Sequence, residues 1–129
     1  STKQRVLDEA EVRRAIGYYE KATRAGSPRA GLPELYNLVE MLKGYYQCGD
    51  DELARRIGVP KSTIEAIKRP QNQKQYDIRH ATAGSPESLP SKDVESAMKA
   101  GADTVRAFIE TRFRAVRADI ERRVKGPSA

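Results

Sequence analysis

The chain holds one histidine, His80, which stands beside Arg79 in the segment Gln75-Tyr76-Asp77-Ile78-Arg79-His80-Ala81. An imidazole moves a proton near neutral pH and a guanidinium grips a phosphate through paired N–H groups, so the two side chains suit phosphodiester chemistry. The competing reading is structural, because a lone histidine near an arginine and an aspartate commonly serves only as a hydrogen-bonding group. With one histidine and one cysteine, Cys48, there is no His/Cys cluster of the kind that holds zinc, and no glycine-rich phosphate loop is visible. No metal and no cofactor is expected.

A second set of residues points to nucleic acid. Between Asp50 and Arg69, the residues Leu53, Ala54, Ile57, Gly58, Val59, Ile64 and Ile67 occupy the packing, small-residue and turn-glycine positions of a helix-turn-helix. Lys61, Ser62, Thr63 and Lys68 would then line the exposed side of its second helix, within reach of phosphates and base edges. The candidate nucleic-acid contacts are Lys61, Lys68, Arg69, Asn72 and Lys74. Two short helices meeting at a glycine also pack this way in ordinary bundles, and Glu65 in the middle of the face opposes phosphate. DNA binding and plain bundle packing both stay open at this point.

Charge is consistent with a polyanionic partner without naming one: 24 Lys and Arg against 18 Asp and Glu leave a net charge of +6. The C-terminal cations Arg112, Arg114, Arg117, Arg122, Arg123 and Lys125 alternate with Asp119 and Glu121, which reads as a solvated helix face. Tyr18, Tyr19, Tyr36, Tyr45 and Tyr46 fall at helical spacing and read as packing residues rather than a base-stacking platform. A single cysteine cannot form an intramolecular disulfide, and the polar opening Ser1-Thr2-Lys3-Gln4-Arg5 has no apolar leader, so a reducing, cytoplasmic setting is expected. No window approaches the roughly 18 to 20 apolar residues that a membrane span needs.

Helices must position all of these groups. Val12, Ala15, Ile16 and Tyr19 mark a first helix over 9–24, capped by Asp8 and ended by Gly26-Ser27-Pro28. Leu35, Leu38, Val39, Leu42, Tyr45 and Tyr46 follow a short Gly/Pro linker and form the broadest stripe, expected to be the most buried helix and closed by Gly49. Asp50 or Asp51 caps a short third helix to Ile57, and Lys61 to Arg69 make a fourth that Pro70 stops. Residues 70–90 form a long loop, and residues 1–7 and 126–129 are expected to be flexible. Ser91 then caps a helix over 92–125, about 50 Å long, carrying Val94, Met98, Val105, Phe108, Ile109, Val116, Ile120 and Val124. A domain of this size has a radius of gyration of only about 14 Å, so that helix must project, bend or pack on a partner.

Taken in order, Leu35-Tyr36-Asn37-Leu38-Val39-Glu40, the stretch from Glu52-Leu53-Ala54 to Ile67-Lys68-Arg69, Asn72, Asp77-Ile78-Arg79-His80-Ala81 and the run from Ser91 to Phe108 resemble bacterial proteins of the HEPN-like helical type. The resemblance covers residues 12–113. It implies a helical bundle, frequent dimerisation and, in active members, metal-independent RNA cleavage by an arginine and a histidine set several residues apart. On this chain those roles fall to Arg79 as phosphate ligand and His80 as acid or base. Here the two are adjacent, and the next arginine upstream, Arg69, is followed by Pro70. The resemblance also makes Asp50 to Arg69 two bundle helices. The expectation is a single all-α domain over 1–129, a bundle of about five helices with a long C-terminal helix, forming a homodimer that meets RNA ahead of DNA. A helix-turn-helix DNA-binding protein and a non-catalytic protein-interaction module are the alternatives.

Overall fold

The computed structural model describes residues 2–72 and 90–125, which form five helices: α1 (Thr2–Arg24), α2 (Pro28–Tyr46), α3 (Asp50–Ile57), α4 (Lys61–Asn72) and α5 (Ser91–Lys125). No strand occurs among the described residues, and the all-α bundle with a long last helix is the fold expected from the sequence. Most of the expected 70–90 loop lies outside the described residues, as do 126–129.

The core is built around α2. Leu32, Leu35, Leu38, Val39 and Leu42 recur at spacings of one, three and four, so they share one side of the helix, and all are fully buried. Against this side lie α1, α4 and the first half of α5, with α1 packed chiefly on α2 and α4 chiefly on α5. Two glycines allow the close crossings. A Cβ on Gly31 would overlap the carbonyl oxygen of Ala22 in α1, and one on Gly101 would lie 2.6 Å from Cδ2 of Leu35. The α1–α2 pair could not approach this closely with a larger residue at 31, where the clash is with backbone, whereas at 101 the Leu35 side chain would have to shift.

On α5, the buried residues are Val94, Ala97, Ala100, Gly101, Thr104, Val105 and Phe108. Phe108 closes that end of the core, with the rings of Tyr45 and Tyr46 edge-on to it at centroid distances of 5.6 Å and 6.1 Å. Burying a phenylalanine completely contributes about 2–3 kcal/mol. No described residue of α5 beyond Phe108 is buried, so the remaining turns project from the bundle. Tyr18, Tyr19, Tyr45 and Tyr46 pack against the core as expected.

Several helix ends differ from the sequence expectation, each for a local reason. Helix α1 begins at Thr2, so Asp8 lies inside it instead of capping it; nothing from Thr2 to Asp8 breaks a helix. Ser27 starts α2 rather than only ending α1: its side chain accepts from the Ala30 N–H at 3.2 Å, and Pro28 fills the first turn, where a missing N–H costs nothing. The far end of α2 is closed by Gln47 in the left-handed conformation (φ 54°), with the Cys48 N–H donating to the Lys43 carbonyl at 3.1 Å. Gly49 instead precedes α3, and Asp50 is the first residue of that helix and not its cap. Pro70 does not stop α4, which runs on to Asn72; the proline falls in the last turn, forfeits a single backbone bond, and is buried. At the start of α5, the Pro90 carbonyl accepts from Asp93 and Val94, so Ser91 is the first helical residue.

Candidate nucleic-acid interface

The α3–α4 pair is set by its turn. Gly58 sits at φ 78°, a conformation that disfavours any residue with a Cβ, and its N–H and that of Val59 both donate to the Ala54 carbonyl at 2.9 Å and 3.0 Å. Thr63 N–H donates to the Pro60 carbonyl at 2.9 Å and opens α4. Leu53, Ala54, Ile57, Ile64 and Ile67 are all buried, and Val59 packs against them, so each position the helix-turn-helix pattern assigns to packing is filled by a packing residue.

This burial leaves one side of α4 in solvent. Lys61, Ser62, Glu65 and Arg69 are exposed and lie along one arc of the helix, opposite Ile67 and Pro70. The Lys61 ammonium is 3.4 Å from Asp51 and 3.8 Å from Glu65. Such exposed pairs contribute little to stability and exchange readily for another anion. On α3, Arg55 and Arg56 both pair with Glu52, the latter at 3.0 Å.

Lys68 is not part of that face. Its side chain is only 13% exposed, and its ammonium lies 3.2 Å from Asp50 and 3.6 Å from Glu40, over the Tyr36 ring at 5.4 Å. Seven residues after Lys61, it falls at the edge of the arc where α4 turns toward α2, so it reaches inward. Thr63 is likewise half-buried. Lys43 completes the cluster, 3.0 Å from Asp50 and 3.2 Å from Glu40. Burial works against ionising Asp50, but hydrogen bonds from Lys43 and Lys68 outweigh it and hold the carboxyl below its ordinary range. Burial likewise opposes the Lys43 charge, and hydrogen bonds to Asp50 and Glu40 overcome it and raise its pKa. Glu40 and Lys43 are one turn apart on α2, but nothing in the sequence linked that pair to residues 50 and 68, since no helical repeat connects them.

A polar cleft of about 400 Å³ opens beside this motif, between the end of α3 and α5, lined by Arg55, Arg56, Gly58, Glu110, Thr111 and Arg114. Of the other candidate residues, Lys74, Arg79 and His80 lie outside the described residues, and Asn72 is placed only as the last backbone position of α4. Among the described residues, no helix is long and apolar enough to cross a membrane. Compared with protein-family models, curated proteins and solved structures, the chain matches none.

Proposed function

We propose that this chain is a nucleic-acid-binding protein that uses α3 and α4 as a helix-turn-helix, with α4 entering the major groove of duplex DNA. The observation that carries this reading is the exposure of Lys61, Ser62, Glu65 and Arg69 along one arc of α4 while Ile64 and Ile67 are fully buried. A solvent-facing polar arc is common to any amphipathic helix; here it follows directly on the Gly58 turn and carries the cations Lys61 and Arg69, which is the placement a recognition helix needs. Lys61 and Arg69 supply phosphate contacts, and Ser62 and Glu65 face base edges, where a glutamate accepts from the amino group of cytosine. The net charge of +6 favours the encounter.

Fluorescence anisotropy on a labelled random duplex tests the proposal. Affinity should fall steeply with salt, and Lys61→Glu combined with Arg69→Glu should weaken binding at least tenfold, whereas Arg13→Glu, on the exposed side of α1, should not. Equal binding by the doubly substituted chain and the unchanged one rejects the reading. The alternative, RNA cleavage by His80 and Arg79, predicts a different result: cutting of RNA but not DNA in EDTA, reduced about 10² to 10⁴-fold by His80→Ala.

A further inference from the structure

The projecting part of α5 carries a second apolar stripe. Ile109, Phe113, Val116, Ile120 and Val124 follow one another at spacings of four, three, four and four. At about 100° per residue, this stripe is rotated by roughly 130° from the side that buries Ala97, Gly101, Thr104 and Phe108; Ile109 packs on the edge of the core, and the stripe then leaves it. Phe113, Ile120 and Val124 are 59%, 45% and 81% exposed. Scattered apolar exposure is ordinary on a monomer, but large side chains aligned on one helix face form a contact surface.

We infer that this stripe pairs with the same stripe of a second copy of the chain, the two helices running antiparallel about a twofold axis between residues 114 and 115. In a two-stranded coil, Phe113 and Ile120 take one set of seam positions and Ile109 and Val116 the other. Run antiparallel in this register, Phe113 meets Val116 of the second copy, and Ile109 meets Ile120.

Charge complementarity selects the arrangement. On one flank Glu110 faces Arg117 of the second copy, and on the other Arg112 faces Asp119, each pair occurring twice by symmetry. A parallel pair would set Arg112 against Arg117, and an antiparallel pair shifted by one heptad would set Arg117 against itself. Like charges so placed disfavour both alternatives. The Glu110–Arg117 flank carries more of this choice, because the Arg112 guanidinium already lies 5.8 Å from the Tyr45 ring centre. Within one chain, Glu110 is 3.7 Å from Arg114 and both are exposed, so that contact yields readily; Arg117 stacks over Phe113 at 4.9 Å, which holds it beside the seam. The inference stands whether or not α4 binds DNA.

Sedimentation velocity on the full chain over a range of concentrations tests it. The unchanged chain should move from 14.4 kDa towards twice that mass. Phe113→Ser with Ile120→Ser should remain monomeric with an unchanged helical circular dichroism signal, since both side chains lie outside the core. Glu110→Arg alone, and Arg117→Glu alone, should each weaken association about tenfold, and the two together should restore it. A chain that stays monomeric throughout overturns the inference, as does a dimer indifferent to Phe113 and Ile120. A double charge exchange that fails to restore association rejects the antiparallel register. If the unchanged chain is monomeric and the Phe113 and Ile120 substitutions instead weaken retention of RNA or DNA, the stripe serves that ligand and the inference falls.

Discussion

The ammonium of Lys68 lies 3.2 Å from the carboxylate of Asp50, a contact that joins the second helix of the motif to the start of the first. Glu40 and Lys43 extend it to α2, so four charges on three helices neutralise one another at the rim of the core. Lys68→Ala should therefore lower stability by about 1 kcal/mol in urea unfolding, because it removes the least exposed partner of a partly buried charge cluster. It should leave duplex affinity within about twofold of the unchanged chain when measured below its unfolding temperature, whereas Lys61→Glu should do the reverse. A loss of binding on Lys68→Ala at full stability would return that lysine to the binding face.

The same cluster makes stability depend on pH in a defined direction. The folded-state pKa of Asp50 is depressed by Lys43 and Lys68, so its contribution is fully present above the unfolded value of roughly 3.9 and is lost as pH falls through the lower folded value. Asp50→Asn should be less stable than the unchanged chain at pH 7, with the difference closing only below about pH 4. Urea titrations of both proteins across that range provide the check, and a gap that persists at the acid end would mean the aspartate acts through packing instead of charge.

Thr104 is fully buried in α5, and its hydroxyl has no hydrogen-bond partner among the described residues. An orphaned buried hydroxyl costs about 1–3 kcal/mol, and valine has nearly the same shape. Thr104→Val should therefore raise stability by about 1 kcal/mol, which for a chain of this length raises the melting temperature by about 4 °C. A lower melting temperature would show that the hydroxyl is bonded after all.

Local features carried most of the fold. The three-and-four spacing of Leu35, Leu38, Val39 and Leu42 requires only that a helix turn every 3.6 residues, and it was sufficient to mark α2 as the buried centre. Gly58 and the apolar positions around it specified the α3–α4 turn for the same reason, since a left-handed glycine and its neighbouring packing residues are a short-range pattern. Helix ends were read less well. Ser27-Pro28 both follows one helix and opens the next, and a proline in a last turn is tolerated when packing buries it, as at Pro70.

For the candidate interface, the amino-acid order by itself determined which residue types stand near the turn, and the tertiary structure decided which of them face outward. Lys61 and Lys68 are chemically the same and seven residues apart, yet one is solvent-facing and the other is drawn to Asp50 and Glu40. That difference depends on where α4 crosses α2, a long-range relation set by core packing and invisible to any helical period. The stripe from Ile109 to Val124 shows the same division: its spacing is written in the chain, but that it emerges beyond the core, turned away from the side that buries Phe108, follows only from where the bundle ends.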